Sequence, residues 1–193
     1  MNPADQSSQP AAPAKFVSRA GIKLEHALST FGLDVRGMIC ADLGCNAGGF
    51  VDCLLRRGAT RVYAVDTGYG MLDWKLRQDK RVVVMERTNA MHAVLPEKVN
   101  LVSIDVAWTR QRHILPAARR MLDDQGVAIT LIKPHYEADA ALLRKGILQP
   151  EAMEAVLRKV EADIKAAGFE LAARIPSPIK GAKGNVEFLA MLR

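Results

Sequence analysis

Four charged residues sit beside apolar runs that lie far apart in the chain. Lys23 falls in a leading helical pattern, Asp105 follows Leu101-Val102-Ser103-Ile104, Lys133 follows Thr130-Leu131-Ile132, and Glu187 stands near the C-terminus. Two amines and two carboxylates gathered at one sheet edge would orient a hydroxyl and manage its proton. A glycine loop, Asp42-Leu43-Gly44-Cys45-Asn46-Ala47-Gly48-Gly49-Phe50, offers the place for a group donor. It runs from the apolar Ile39-Cys40-Ala41 into a helical pattern over 51–58, which reads as a strand-loop-helix cofactor unit. A dinucleotide fingerprint needs glycine where Asn46 stands between Gly44 and Gly49, so a dehydrogenase is disfavoured. Asp42 at the strand end accepts a hydrogen bond from an amino group, which suits S-adenosylmethionine better than a nucleotide diphosphate. Asp66 ends a second strand, Arg61 to Val65, where a doubly wound fold places a carboxylate on the ribose hydroxyls. The chemistry these residues point to is methyl transfer to a hydroxyl.

Lys133 is the residue closest to that chemistry. Pro134 biases it toward extended geometry, which fixes it at the carboxyl edge of the sheet with Asp105. A neutral Lys133 would take the hydroxyl proton, and a charged one would stabilise the developing alkoxide; the residues alone leave both open. Aligning the oxygen with the methyl group supplies on the order of 7 to 11 kcal/mol in either case. Lys23 and Glu187 would orient the acceptor and balance charge. The ordinary alternatives are a structural ion pair for Lys133 and Asp105, a solvated helix lysine for Lys23, an edge-strand acid for Glu187, and a tight turn for the loop.

The elements that must position these groups alternate. Ile22, Leu24, Ala27, Leu28 and Phe31 recur at helical spacing and stop before Gly32. Strands follow near Ile39, Val62, Val82, Leu101 and Val127. Met153, Val156, Leu157, Val160 and Ile164 mark one face of a helix over 150–167, closed by Gly168. Two late strands, 169–175 and 186–192, flank a Pro/Gly-rich stretch and predict an antiparallel hairpin at the sheet edge. The expected fold is α/β and Rossmann-like, with a mostly parallel seven-stranded sheet covered by helices on both faces, as in class I methyltransferases.

A chain of 193 residues with 49% hydrophobic content can bury a full core without disulfide or metal help. The 27 Lys and Arg against 21 Asp and Glu make a polyanionic partner plausible. Cys40, Cys45 and Cys53 lack paired zinc spacing, so no metal is expected, and they fit reduced thiols in the cytoplasm. Residues 1–14, rich in Pro, Ala, Ser and Gln, read as a disordered tail without signal-peptide character, leaving 15–193 as one domain. No run approaches a membrane span, so no membrane partner is expected.

Several longer motifs are specific. They are Val17-Ser18-Arg19-Ala20-Gly21-Ile22-Lys23-Leu24, the loop through Gly48-Gly49-Phe50, Val65 to Arg77, Glu86-Arg87-Thr88-Asn89-Ala90, Leu131-Ile132-Lys133-Pro134 and Gly184-Asn185-Val186-Glu187-Phe188. In these the chain resembles the TlyA-type hemolysins and ribosomal RNA methyltransferases, which share a fold with FtsJ-type 2′-O-methyltransferases. The resemblance covers nearly the whole chain after the tail. It implies a Lys-Asp-Lys-Glu tetrad for ribose methylation, carried by Lys23, Asp105, Lys133 and Glu187, with Asn89 and Ala90 near the adenine. The cofactor set is then Asp42, Gly44, Cys45, Asn46, Gly48, Gly49, Phe50, Asp66, Thr67, Asn89, Ala90 and Asp105, and the expected partner is RNA, ribosomal in the first place.

The chain departs from the family in three places. Family members usually begin with a small RNA-binding domain where this chain has its tail; Val106-Ala107-Trp108-Thr109-Arg110 differs from the small and aliphatic pattern expected after Asp105; and His135-Tyr136 replaces Gln-Phe. Trp108 and Tyr136 are candidates for base stacking, with core packing as the alternative. Lys15, Arg19, Arg110, Arg112, Lys180 and Lys183 are candidate phosphate contacts. Rival readings are a catalytically silent cofactor- and RNA-binding factor and, last, a membrane-active hemolysin. Amino-group methylation is disfavoured because Asp105-Val106-Ala107-Trp108 is not an Asn-Pro-Pro-Tyr clamp.

Overall fold

The computed structural model describes residues 16–193; the expected tail and Lys15 lie outside the described residues. In chain order the elements are α1 (Ala20–Thr30), β1 (Ile39–Leu43), α2 (Gly49–Arg56), β2 (Arg61–Val65), α3 (Trp74–Arg77), β3 (Val82–Met85), β4 (Val99–Ile104), α4 (Gln111–Met121), β5 (Leu122–Ile132), α5 (Pro134–Glu137), β6 (Leu143–Arg144), β7 (Ile147–Leu148), α6 (Met153–Ala166), β8 (Leu171–Pro176) and β9 (Phe188–Leu192). The main sheet has seven strands in the order β3-β2-β1-β4-β5-β9-β8. β3 through β5 are parallel, and β9 runs antiparallel to both β5 and β8.

Helices end where the sequence supplies a left-handed glycine. After α1, Gly32 has φ +63° and the Leu33 amide reaches back to the Leu28 carbonyl at 3.0 Å. Gly168 closes α6 in the same way, with the Phe169 amide on Ile164 at 3.2 Å. In both, the 6→1 bond satisfies a carbonyl that the helix leaves open.

Two apolar layers clamp the sheet. α1 and α2 bury Leu24, Leu28, Phe50, Val51 and Leu54 on one face, and α4 and α6 bury Ile114, Leu115, Leu157, Val160 and Ile164 on the other. Such a strand, covered on both sides, reads as a nearly continuous apolar run, which is the pattern of Leu101 to Ile104 with the buried Ser103 as its one polar member. The chain steps outward from β1 through β2 to β3, then returns to place β4 on the other side of β1. That reversal opens a crevice beyond the carboxyl ends of β1 and β4, where open α/β sheets bind ligands.

Candidate functional site

A cavity of about 860 Å³ occupies that crevice. Its floor is the end of β1. Asp42 is 1% exposed, and one carboxylate oxygen accepts from Ser103 Oγ at 2.7 Å while Oδ2 has no partner. Burial pushes the Asp42 carboxyl up to about 8; the Ser103 hydroxyl opposes this, and the Asp105 and Asp66 carboxylates add to it. A buried, orphaned acceptor in a polar cavity is what a cationic or amino ligand would satisfy.

The loop after Asp42 is shaped by its neighbours. Gly44 has φ +87°, and a Cβ there would stand 2.7 Å from the Asp105 carbonyl oxygen, so only glycine fits. The Gly44 and Cys45 amides both donate to the Val65 carbonyl, at 2.9 and 3.1 Å, which locks the loop to the end of β2. Asp66 follows directly. Its Oδ2 accepts from the Asn46 amide at 2.8 Å and its Oδ1 from the Gly68 amide at 2.8 Å. Each oxygen keeps a further lone pair for hydroxyl donors.

Four charged groups from distant segments close the other side as two ion pairs. Lys23 Nζ donates to Glu187 Oε2 at 2.6 Å, with side chains only 8% and 4% exposed. Lys133 Nζ meets Asp105 Oδ1 at 2.7 Å and also donates to the Val106 carbonyl at 2.7 Å. As an ammonium Lys133 keeps one N–H for an acceptor; as an amine its lone pair takes that place. All four residues line the same cavity. A Cβ on Gly181 would fall 2.1 Å from Glu187 Oε1, so glycine at this position is what lets the loop pass over the carboxylate.

The structure brings most of the expected residues together. Lys23, Asp42, Gly44, Cys45, Asn46, Phe50, Asp66, Thr67, Asn89, Ala90, Asp105, Lys133 and Glu187 all line the cavity. Gly48 and Gly49 are not among the lining residues: a side chain on Gly48 would meet Leu72 and Leu76, and one on Gly49 would meet Ser18 and Gly21. Trp108 is 79% exposed at the rim, not core, and the half-buried Tyr136 ring packs tilted against His135, with centroids 4.1 Å apart. Arg19 faces the cavity, and Arg112, Lys180 and Lys183 are exposed. Arg110 turns inward instead, donating to the Tyr136 and Ala138 carbonyls at 3.2 and 3.3 Å.

Sequence reasoning missed the support behind Lys133. Glu137 is buried and accepts from the Gln111 amide at 2.8 Å, placing a carboxylate at the positive end of α4. Gln111 Oε1 in turn accepts from Thr130 Oγ1 at 2.9 Å, which ties α4 to β5 just before Lys133. The signal was a polar Thr130 inside an apolar strand, which needs a partner. His135 is also buried with Nδ1 unpartnered; burial holds its pKa below the usual value, Glu187 opposes that and Lys133 adds to it. No cluster able to hold a metal occurs among the described residues.

Known proteins resemble this chain over most of its length. The FtsJ-like methyltransferase family profile matches residues 16–193. Hemolysin A of Brachyspira hyodysenteriae is 42% identical over 91% of this chain and 76% of its own length. The 16S/23S rRNA (cytidine-2′-O)-methyltransferase TlyA of Mycobacterium tuberculosis is 36% identical over 92% of this chain and 68% of its own. A solved structure from Streptococcus thermophilus, named as a hemolysin, superimposes with a TM-score of 0.90 at 41% identity, covering 95% of this chain and 68% of that one. The chain spans between 66% and 76% of the length of the curated relatives it matches at 36% identity or more. Solved S-adenosylmethionine-dependent methyltransferases at 16% to 17% identity share the fold alone, with TM-scores of 0.64 to 0.66.

Proposed function

The chain belongs to the FtsJ-like methyltransferase family, and from that premise we propose that it methylates a ribose 2′-hydroxyl of RNA, with S-adenosylmethionine as donor. Ribosomal RNA is the substrate class named for the TlyA relative. The observation that carries the reading is the pair of ion pairs, Lys23–Glu187 and Lys133–Asp105, lining one cavity together with Asp42 and Asp66.

The donor set fits the cofactor. The unpartnered Asp42 Oδ2 would accept from its amino group, the free lone pairs of Asp66 from its ribose hydroxyls, and Thr67, Asn89 and Ala90 would surround its base. When bound, it supplies an electrophilic methyl group on a sulfonium. Lys133 then orients the acceptor oxygen through the one position left after Asp105 and Val106 are satisfied and, as an amine, takes the hydroxyl proton there as the oxygen gains the methyl group, becoming an ammonium paired with Asp105. Lys23 and Glu187 neutralise each other within the wall, so that the acceptor pocket presents polar groups without a net charge that would repel phosphate. Trp108 at the rim is placed to stack on a base presented to the cavity.

Residues from 15 onward act as one catalytic domain. RNA as substrate, together with three unpaired buried thiols, fits a cytoplasmic enzyme. A membrane-lytic role finds no support in a spanning helix: among the described residues none is long and apolar enough. The test is transfer of labelled methyl from S-adenosylmethionine to ribosomal and transfer RNA by the protein and its Lys133→Ala variant. Incorporation that blocks alkaline cleavage at one site and vanishes in the variant is expected. Cofactor binding without incorporation into either RNA would overturn the reading in favour of a silent binding factor.

A further inference from the structure

The wall beside Glu187 ends in two chain tips whose cations the reaction above does not use. The β6–β7 hairpin turns through Lys145 and Gly146, and the loop between β8 and β9 carries Lys180 and Lys183 while lending Gly181 and Ala182 to the cavity wall. Buried Asn185 ties the two together. Its Oδ1 accepts from the Leu148 amide at 3.2 Å, and its Nδ2 donates to the Gly146 and Ala182 carbonyls at 2.9 and 3.0 Å. Lys183 Nζ adds a bond to the Lys145 carbonyl at 3.3 Å.

This latch brings Arg144, Lys145, Lys180 and Lys183, all exposed, to a pair of joined tips. Among the described residues no carboxylate lies within ion-pairing distance of any of the four. Lys145 and Lys183 also hold left-handed backbone, φ +52° and +55°, which disfavours a side-chained residue where glycine would sit without strain. Uncompensated cations held at a local conformational cost are what a polyanion would relieve. We propose that the two latched tips form a phosphate-binding wall that grips the RNA backbone on the Glu187 side of the cavity. The inference rests on the RNA reading above and adds to it a surface that fixes the strand's register without reading its sequence.

The test uses Lys145→Gly combined with Lys183→Gly in the full chain, a change that removes two charges and relieves both left-handed positions while the three Asn185 bonds still join the tips. Binding of a fluorescein-labelled RNA stem-loop is followed by anisotropy across a salt series, and cofactor affinity by calorimetry. The double variant should bind the stem-loop more weakly by roughly twentyfold or more at about 0.1 M salt, with a log–log salt slope smaller by about 1.4 to 1.8, since each phosphate contact contributes about 0.7 on a single strand and about 0.9 on a duplex. Its affinity for S-adenosylmethionine should be unchanged. Wild-type affinity and slope in the variant would overturn the wall and leave ribose methylation standing. If the wild-type protein neither binds RNA nor transfers methyl to it, both readings fall.

Discussion

The side of the cavity proposed to hold the cofactor takes most of its polar groups from one stretch of chain, Asp42 to Thr67, whereas the side proposed to hold the acceptor collects four side chains from segments as distant as Lys23 and Glu187, 164 residues apart. In the first half backbone amides hold the key carboxylate: Asn46 and Gly68 each give Asp66 one hydrogen bond. In the second, side chains hold each other, one pair nearly buried and the other partly open. The first is therefore set by local turn geometry, and the second exists only once the sheet has formed. Damage to the acceptor half should separate chemistry from cofactor binding, and damage to the cofactor half should not.

The largest expected effect is on the open pair. Lys133→Ala should lower methyl transfer by about two to four powers of ten, the usual worth of a positioned proton-transfer or charge-stabilising group. Cofactor affinity measured by calorimetry should stay within about twofold, because Asp42 and Asp66 are untouched. A parallel collapse of cofactor binding would erase the distinction between the halves. Next comes the buried pair: Lys23→Ala strands Glu187, which is 4% exposed, and should cost about 3 to 5 kcal/mol in urea unfolding. Replacing both partners, Lys23→Met with Glu187→Leu, should return most of that stability while activity stays lost. If the double variant is as unstable as the single one, desolvated charge is not what sets the cost.

The same contrast explains what the sequence made legible. The glycine loop announced itself because its requirements are local: Gly44 needs a positive φ and space beside Asp105, and Asp66 follows at the next strand end. Strands expected near Ile39, Val62, Val82, Leu101 and Val127 are β1 to β5, since each contains an apolar run, buried on both faces in β1, β2 and β4 and only partly covered at the edge strand β3. Lys23 was visible as a charge in a helical pattern, Asp105 and Lys133 as charges at strand ends that a parallel sheet brings to one edge, and Glu187 as a charge near the C-terminus; their reading as one tetrad came from resemblance to a family. The Lys133–Asp105 pair follows from β4 and β5 lying side by side, whereas the Lys23–Glu187 pair depends on β9 inserting between β5 and β8, an order that no local signal encodes. The β6–β7 hairpin escaped notice because two-residue strands carry no periodicity; Asn185, from another segment, holds it. Arg110 looked like a solvent-facing cation, yet its guanidinium binds two carbonyls of the α5 region that no pattern along the chain places nearby.

On the cofactor side the sharpest handle is pH. The Asp42 carboxyl is raised to about 8 by burial, far above its ordinary range near 4. Between those values the folded protein holds a proton that the unfolded chain has released, so the unfolding free energy falls as pH rises from about 4 to 8. Asp42→Asn removes that slope and should stabilise the free protein at pH 8 by on the order of a few kcal/mol, read as a higher Tm. The cost is functional, since the amide cannot offer a carboxylate to the cofactor's amino group, and affinity should fall by about tenfold or more. An unchanged pH dependence of Tm in the variant would show that Asp42 is ionised in the free protein.

The smallest effect concerns the aromatics, where the two halves again differ. Phe50 lines the cavity at 2% exposure and is part of the core, whereas Trp108 stands 79% exposed after β4. Trp108→Ala should leave stability within about 0.5 kcal/mol, because the indole buries almost nothing on folding. With RNA as acceptor it should raise KM by roughly fivefold or more, the lower end of base–aromatic stacking, and Trp108→Phe should restore most of the loss. A fall in kcat at unchanged KM would give Trp108 a different role. The ring would then hold the acceptor ribose in line for transfer, an interaction made only in the transition state, and not merely add adhesion to the strand. Phe50→Ala gives the opposite signature, a loss of about 3 to 5 kcal/mol in stability that carries cofactor binding down with it.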